Sequence, residues 1–240
     1  MNKNCPNTII GSGFLAKNFG KYEELFKKLN ICVYAAGVSN SLCKDRKLLE
    51  KDKKRLYDFR DKINKSKILL YFGTCSSYDP SRNKNPYVKN KLEIENFIKK
   101  NFQKYLIIRL PEVVGKSINS NTLINFFFEK IKRNEIFNLW TKARRSVIDI
   151  DDVTKILINL LSNTKHENKT INIANPEKYS SIHIVKIIEN LTAKKAKYNL
   201  VNKGEDNWTI DVSQIIDSIE NCKIKFNRNY LKYTLEKYFI

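Results

Sequence analysis

Short apolar runs alternate with segments of helical periodicity along the first half of the chain, and this alternation constrains the fold more than any other feature. Strands are predicted at residues 7–10, 31–36, 68–72 and 105–110. Helices are predicted from residue 14 to about residue 28, over residues 48–63, and from Pro86 past Ile98. Strands and helices that alternate in this way form a parallel sheet covered on both faces. The sequence therefore predicts an α/β fold.

The length of 240 residues suits one α/β domain, or one domain with a small appendage. No apolar run reaches the roughly 20 residues of a membrane span, and the start, Met1 to Pro6, carries no long apolar signal segment. We therefore expect a cytoplasmic protein. The cysteines and histidines are too scattered for a metal site, so we expect reduced thiols and no metal. They are Cys5, Cys32, Cys43, Cys75, Cys222, His166 and His183.

The chain is strongly basic, with a formal net charge of +20 and a pI of about 9.7. Such a charge raises nucleic-acid binding as a possible function. The lysines, however, are spread along the whole chain among many Asn and Ile residues, as in proteins from AT-rich genomes, and no zinc-finger, RRM or KH pattern is present. We favour compositional drift over a nucleic-acid footprint. A basic surface would also attract a small anionic substrate such as a nucleotide sugar.

The first predicted strand leads directly into a Gly-rich turn, Gly11-Ser12-Gly13-Phe14-Leu15-Ala16, and then into a helix. This arrangement lets the backbone approach a pyrophosphate at the positive end of a helix, although the glycines could also simply shape a tight turn. The acidic residue that binds ribose, expected roughly 20 residues further on, would fall near Val33, where none is present. Residues 17–30 leave room for one helix only, so the adenosine end of a dinucleotide would have to be held unusually.

A Tyr-x-x-x-Lys pair, Tyr87 and Lys91, begins a predicted helix 13 residues after Thr74, which ends a buried strand. A tyrosine with a pKa of ~10 is a poor base near neutrality, and a lysine one helical turn away supplies about 3 kcal/mol toward lowering that pKa. Thr74 would hold a substrate oxygen for Tyr87, although a strand-end threonine could instead satisfy the backbone. A second match, Tyr233 with Lys237, lies in an amphipathic segment without such a partner, and we expect it to be structural.

From about residue 113 the pattern changes to a basic helix and a short strand near residues 137–140. Residues 147–150, 152–161 and 170–174 are predicted to return to the sheet, and residues 180–191 and 230–238 complete a smaller lobe. We therefore expect a cofactor-binding part made of residues 1–112 with 145–175. A substrate-binding lobe would comprise residues 113–144 and 176–240.

Together these residues resemble the extended short-chain dehydrogenase/reductases, in particular the NAD-dependent epimerase/dehydratase family that acts on nucleotide sugars. The order and spacing of the segments carry the resemblance, which covers nearly the whole chain. The segments are Gly11-Ser12-Gly13-Phe14-Leu15-Ala16, Tyr34-Ala35-Ala36-Gly37, Gly73-Thr74-Cys75-Ser76 with Tyr87 and Lys91, residues 108–115, residues 145–153 and Asn172-Ile173-Ala174.

The resemblance implies a Rossmann-type parallel sheet, a small C-terminal substrate lobe, and NAD or NADP as cofactor. It implies catalytic roles for Thr74, Tyr87 and Lys91. The implied cofactor-binding residues are Gly11, Ser12, Gly13, Phe14, Leu15, Ala35, Ala36, Gly37, Lys91, Leu110 and Pro111. The implied substrate-binding residues are Cys75, Ser76, Glu112, Thr122 and Arg145, although Arg145 could equally be a solvated charge beside Arg144. Relatives often pair through the helices at residues 44–63 and 87–101, so a homodimer is possible.

Two departures from the family pattern limit the function. The segment between the Gly-rich turn and Ala35 is too short for the usual second-strand region, so the adenosine pocket is expected to be truncated. The Asp-Glu pair that follows the catalytic Thr in sugar dehydratases is Cys75-Ser76 here, which disfavours dehydration. We therefore expect an NAD(P)-dependent epimerase or ketone reductase for a nucleotide-linked sugar, serving cell-surface polysaccharide biosynthesis. A non-catalytic nucleotide or nucleotide-sugar binder is the alternative, and a nucleic-acid-binding protein is a third, weaker one.

Overall fold

The computed structural model describes residues 7–116, 122–163 and 166–239, with the backbone alone at residue 163. The start of the chain, on which the absence of a signal segment was judged, and Cys5 lie outside these ranges. Contacts within the described residues divide the chain into two compact units. The first contains the chain up to Ser77, Arg82–Leu110 and Leu160–Asn172, and the second contains Tyr78–Ser81, Pro111–Asn159 and the chain from Ile173 onward. Residues 145–159 and 173–175, which were expected in the cofactor-binding part, belong to the second unit.

The elements alternate as the sequence predicts. The strands are β1 (Ile9–Ile10), β2 (Ile31–Tyr34), β3 (Ile68–Thr74), β4 (Tyr105–Leu110), β5 (Glu112–Val114), β6 (Ile136–Trp140), β7 (Arg144–Arg145), β8 (Val147–Asp149), β9 (Lys169–Asn172), β10 (Tyr179–Ser180) and β11 (Lys197–Val201). The helices are α1 (Phe14–Gly20), α2 (Glu23–Lys28), α3 (Arg46–Arg60), α4 (Pro86–Asn101), α5 (Leu123–Lys132), α6 (Ile150–Asn163), α7 (Ser181–Thr192), α8 (Ile216–Asn221) and α9 (Tyr230–Phe239).

The first unit is built on a five-stranded parallel sheet with the strand order β1-β2-β3-β4-β9. Strands β2 and β3 are apolar at nearly every position because both of their faces are covered. The predicted α/β fold with a Rossmann-type parallel sheet is therefore confirmed. Within the described residues β1 pairs with β2 alone, so the strands that lie beyond β1 in a complete dinucleotide-binding sheet are missing here.

The connections that flank β2 run on opposite faces of the sheet. Helix α1 packs on the face of β3 that carries Phe72, since the rings of Phe19 and Phe72 stack with centroids 5.1 Å apart. Helix α3 packs on the other face, where its Phe59 lies 5.3 Å from the ring of Tyr34. Because β1, β2 and β3 follow one another across the sheet in one direction, these two crossovers have opposite hands. Helix α4 lies on the same face as α3, so the β1-to-β2 connection is the exception to the right-handed rule.

The single helix predicted from residue 14 to residue 28 is wrong, because the segment forms two short helices, α1 and α2. Helix α1 ends at Gly20, a residue that costs about 1 kcal/mol in a helix interior. The break at Lys21 and Tyr22 lets Phe19 and Phe26 both reach the sheet face and be fully buried.

The second unit has its own hydrophobic core between α5, α7 and α9. Strands β5 and β8 form a parallel pair, β6 and β11 form another, and β7 and β10 pair antiparallel. The segment 147–150 was predicted to return to the main sheet, but β8 pairs with β5 outside it. Of the segments predicted to return, β9 is the one that joins the main sheet, beside β4.

No helix in the described part of the chain is both long enough and apolar enough to cross a membrane. The same residues contain no group of three or more His, Cys, Asp or Glu side chains that could hold a metal ion. Cys32, Cys43, Cys75 and Cys222 are thiols rather than halves of disulfides.

Candidate active site

The predicted catalytic pair lies at the start of α4, and local sequence explains the helix boundary. Asn85 caps the helix by accepting a hydrogen bond from the backbone N–H of Val88, and Pro86 takes the first helical position, where no N–H is needed. Tyr87 and Lys91, four residues apart, lie on one helix face. The Nζ atom of Lys91 lies 5.8 Å from the centroid of the Tyr87 ring, and both side chains are buried.

Lys91 is anchored to β3 by two hydrogen bonds. Its Nζ donates to the hydroxyl of Tyr71 at 3.2 Å and to the backbone carbonyl of Phe72 at 3.3 Å. Burial lowers the pKa of Lys91, and the nearby carboxylates of Asp52 and Glu95 partly oppose that shift. Burial likewise raises the pKa of the Tyr71 hydroxyl well above its ordinary value, so Tyr71 stays neutral as the acceptor. An ammonium has three donors, which leaves one of the three for a further acceptor.

Thr74 ends β3 beside Leu110, one of the cofactor-binding residues that the family resemblance implies. In the sheet register it is the partner of Leu110, the last residue of β4. The Thr74 hydroxyl accepts a hydrogen bond from the backbone N–H of Ser76 at 3.1 Å. This bond uses a lone pair and leaves the hydroxyl proton able to be donated to a substrate oxygen. Cys75 is buried, and burial raises the pKa of its thiol, whereas Ser76 is half-buried.

The Gly-rich turn packs against the end of β2. Gly11 has φ +128°, and a Cβ there would lie 2.5 Å from the carbonyl oxygen of Ala35 and 2.9 Å from the backbone nitrogen of Ala36. Only glycine fits this position. Ser12 and Gly13 are exposed, Phe14 and Leu15 are half-buried at the start of α1, and a Cβ on Gly13 would meet nothing within 4 Å.

Two further contacts surround the segment after β2. The guanidinium of Arg55, an exposed residue of α3, donates to the carbonyl oxygen of Ala36 at 2.6 Å. Gly37 lies beside Lys91, the predicted catalytic lysine, since a Cβ on Gly37 would be 2.8 Å from Nζ of Lys91. In the first unit, the Ala35-Ala36-Gly37 segment therefore contacts the Gly-rich turn at one end and Lys91 at the other.

Asp52, a buried acidic residue close to Lys91, was not identified from the sequence. Asp52 is 2% exposed, accepts from the Asn90 side-chain amide at 3.2 Å, and has one carboxylate oxygen without a hydrogen-bond partner among the described residues. The hydroxyl of Tyr34 is also buried without a partner within that part of the chain. A signal was present in the sequence, because Asp52 occupies the apolar face of α3 together with Leu49 and Leu56. A charged residue in such a position marks a buried polar site.

The residues predicted to bind substrate from the second unit have structural partners of their own. The carboxylate of Glu112 accepts from the backbone N–H of Leu123 at 3.0 Å and so caps α5, whereas Thr122 at the N-cap position makes no side-chain cap. Arg145 pairs with the buried carboxylate of Asp79 at 3.3 Å. The ion pair contradicts the alternative of a fully solvated Arg145. Pro111 is half-buried and follows directly after β4, where the chain enters the second unit.

The chain's own residues fit part of a nicotinamide dinucleotide. Lys91 has a donor for a ribose hydroxyl, and the turn from Gly11 to Gly13 offers exposed backbone for a phosphate. The adenosine side does not fit in the same way, because β1 pairs with β2 alone within the described residues. In that part of the chain the edge carries no strand whose end could hold the adenosine ribose.

Comparison with known proteins shows what this chain is similar to. Residues 64–174 match the model of the NAD dependent epimerase/dehydratase family. No curated protein sequence matches the chain. Among solved structures, the fold is similar to RMD from Pseudomonas aeruginosa complexed with NADPH, with 14% identity, a TM-score of 0.69, and coverage of 95% of this chain and 96% of the other.

Two further structures have the same fold. The UDP-glucuronic acid 4-epimerase from Bacillus cereus, in complex with UDP-glucuronic acid and NAD, is 17% identical with a TM-score of 0.63, covering 97% of this chain and 90% of the other. The UDP-glucose 4-epimerase from Thermus thermophilus in complex with NAD is 11% identical with a TM-score of 0.63, covering 92% and 80%. The resemblance to the NAD-dependent epimerase/dehydratase family is therefore confirmed, through the family pattern over residues 64–174 and through a fold shared with nucleotide-sugar epimerases of this type.

Proposed function

We propose that the chain is an NAD(P)-dependent epimerase or ketone reductase for a nucleotide-linked sugar. The observation that carries this proposal is the placement of Lys91, which lies beside the ring of Tyr87 on α4 and is anchored to β3 two residues before Thr74. A phenol, an ammonium and a hydroxyl are the groups needed to move a proton at a carbinol oxygen.

Each residue has a defined part in this proposal. The Thr74 hydroxyl donates a hydrogen bond to the substrate oxygen and orients that oxygen toward Tyr87. Tyr87 exchanges the proton with that oxygen, and the positive charge of Lys91 stabilises the phenolate form of Tyr87. The third donor of Lys91 holds a ribose hydroxyl of the cofactor. The nicotinamide ring, when bound, supplies or accepts the hydride.

Epimerisation and ketone reduction fit the site better than dehydration. Expulsion of water from a sugar needs an acid and a base beside the catalytic Thr. Here Cys75 and Ser76 follow Thr74, and the Cys75 thiol is buried with a raised pKa. Neither side chain supplies a carboxyl group.

A nucleotide sugar is the proposed substrate class because solved structures with this fold carry such ligands. MoeE5 is similar to this chain at 14% identity and is complexed with UDP-glucose and NAD. We assign the diphosphate of the substrate to Arg145, whose guanidinium has five donors, and the sugar to the neighbourhood of Glu112 and Thr122. A setting in cytoplasmic synthesis of cell-surface polysaccharide completes the proposal.

Titration with NADH and NADPH, followed by nicotinamide fluorescence, tests the proposal directly. Binding of either one, with turnover of a nucleotide sugar from a panel of UDP and dTDP sugars, supports it. If neither dinucleotide binds, the alternative stands, in which the chain is a non-catalytic nucleotide or nucleotide-sugar binder. The outer edge of β1, unpaired within the described residues, favours that alternative, since the adenosine side of the site is reduced.

Two other parts of the proposal have simple tests. The net charge of +20 leaves nucleic-acid binding as a third candidate, which predicts RNA or DNA binding that weakens steeply with salt. A homodimer through α3 and α4 follows from the family resemblance alone. A monomer mass in light scattering at every concentration would refute the dimer.

A further inference from the structure

At the carboxyl ends of β1 and β2, the chain leaves the two strands toward opposite faces of the sheet. In doubly wound sheets, ligands bind where connections from two adjacent strands leave toward opposite faces of the sheet. The strand order of this sheet does not reverse within the described residues, but its connections still diverge, because α1 follows β1 on one face and α3 follows β2 on the other. The arrangement that forms a ligand crevice in doubly wound sheets is therefore kept here, in a sheet that lacks the outer strands over the described ranges, and we refer to the carboxyl ends of β1 and β2 as the crevice.

The walls of this crevice are closely fitted backbone. The Gly11 turn touches Ala35 and Ala36 so closely that a Cβ on Gly11 would lie 2.5 Å from a carbonyl oxygen. One residue further along, Gly37 leaves room for the ammonium of Lys91. The crevice thus runs from the phosphate-type turn to the catalytic lysine, along the peptides of Ala35 and Ala36.

The side chain of Arg55 brings a guanidinium to Ala36, just after the end of β2. Ala36 is close to the Gly11 turn through its backbone nitrogen and accepts a hydrogen bond from Arg55 through its carbonyl oxygen. One of the five N–H donors of Arg55 is used in that bond. A guanidinium bonded to the strand end against which the glycine turn packs is suited to a phosphate group.

The crevice ends at β1. The two halves of a dinucleotide normally bind on the two halves of the sheet, and the adenosine ribose is held at the end of the strand next to the first one. Within the described residues β1 has no such neighbour, and residues 11–30 run through α1 and α2 directly to β2. An adenosine group extending past β1 would therefore have few partners to contact among the described residues.

We propose that this crevice is a binding site for a nicotinamide mononucleotide unit, with the phosphate between the Gly11 turn and Arg55, and that the adenosine half of a dinucleotide adds little to affinity. This inference rests on the proposed function, because it uses Lys91 as the ligand of the nicotinamide ribose. It goes beyond that function in predicting that a mononucleotide is large enough to bind with nearly the full affinity of the dinucleotide.

Fluorescence titration of the full chain with NADH and with reduced nicotinamide mononucleotide tests the inference without an activity assay. We expect the two dissociation constants to agree within about threefold, since a group without contacts contributes little binding free energy. Binding of NADH about 100-fold tighter than the mononucleotide would show adenosine recognition and overturn the inference, while leaving the proposed function intact. If neither compound binds, the proposed function fails and the inference fails with it.

The position of the phosphate has its own test. Arg55→Met should weaken NADH and the reduced mononucleotide by the same factor, about tenfold, because both share the phosphate that the guanidinium contacts. Arg60→Met is the matched control, since Arg60 lies on the same helix, is exposed and pairs with Asp61. Affinities unchanged in Arg55→Met would overturn the placement of the phosphate.

Discussion

The absence of a side chain at Gly37 leaves the space that the ammonium of Lys91 occupies. A Cβ on Gly37 would lie 2.8 Å from Nζ of Lys91 and 3.7 Å from a carboxylate oxygen of Asp52. The ammonium therefore takes the space that a side chain at position 37 would need. Since Nζ is also bonded to the Tyr71 hydroxyl, its position depends on the end of β2, on β3 and on α4 together.

Gly37→Ala should displace the Lys91 ammonium and weaken NADH binding by about tenfold, because the proposed function has Lys91 hold the nicotinamide ribose, which the displaced ammonium would no longer reach. The free energy of unfolding should also fall, by about 1–3 kcal/mol, because the displaced ammonium is buried and loses its hydrogen bonds to Tyr71 and Phe72. Fluorescence titration and urea unfolding measure the two effects. Gly20→Ala is the control, as a Cβ there meets nothing within 4 Å. Equal NADH affinities in both variants would contradict the prediction.

Tyr87→Phe should reduce kcat by about 10²–10⁴-fold, the usual contribution of a general acid–base group, and should leave NADH affinity nearly unchanged. The chain provides its own control in Tyr233→Phe. Tyr233 is 58% exposed, and Lys237 of that second pair is held by Asp149 and Asp151 at 2.7 Å each. Turnover of a nucleotide sugar by both variants measures the difference. Full activity in Tyr87→Phe would remove the phenol from the mechanism.

Gly73→Ala should lower the free energy of unfolding by about 1–3 kcal/mol, the range for overpacking a filled interior. A Cβ at Gly73 would lie 2.3 Å from a carboxylate oxygen of Glu95, which forms a forked ion pair with Arg109 at 2.6–3.1 Å. Glu95 is 1% exposed, so its displaced carboxylate could not compensate with water. Urea unfolding of Gly73→Ala beside Gly20→Ala measures the effect, and equal midpoints would contradict the assigned contact.

The regular part of the first unit could be predicted from the sequence because its signals are local. Strand β4 was predicted with the bounds it has, because its mostly apolar run of six residues is too short for a typical buried helix and rich in β-branched residues and aromatics. The start of α4 was likewise predicted, because Pro86 can occupy only a first-turn position within a helix that begins there. The pairing of Tyr87 with Lys91 follows from helix geometry alone.

The rest depends on contacts between distant residues. The opposite hands of the crossovers could not be derived, because hand is set by which face Phe19 and Phe59 pack on. The pairing of β8 with β5 was missed since three-residue strands carry almost no periodic signal. Asp52 was missed for a different reason: an acid on an apolar helix face was visible, but its position next to Lys91 requires the fold.

Cys75 should resist thiol reagents in the folded protein, as should Cys32 and Cys43. All three are buried, and burial raises the pKa of the Cys75 thiol, which removes the reactive thiolate. Cys222 is more accessible and should be labelled first among these four. Mass spectrometry of peptides after brief labelling at about pH 8 measures the order. Labelling of Cys75 as fast as Cys222 would show that the end of β3 opens to solvent.

Lys91→Met should change how stability depends on pH. In the unfolded chain a lysine titrates near 10.5, and burial lowers the pKa of Lys91 in the folded protein. Between those two values the unfolded chain binds more protons, so the titration of Lys91 contributes an increase of the wild-type free energy of unfolding with pH. The variant lacks this contribution. From about pH 7.5 to about pH 10, the free energy of unfolding of wild type should therefore increase relative to that of Lys91→Met, by at most about 1.4 kcal/mol per pH unit.

Urea unfolding of both proteins at the two pH values measures this difference. Lys89→Met is the control, because Lys89 is exposed on the same helix and its replacement should leave the pH trend of wild type unchanged. The Tyr71 hydroxyl, whose pKa burial raises, is present in all three proteins and so does not enter the comparison to first order. A wild-type advantage that shrinks as pH rises would mean that the folded protein favours the charged form of Lys91, with the carboxylates of Asp52 and Glu95 outweighing the cost of burial.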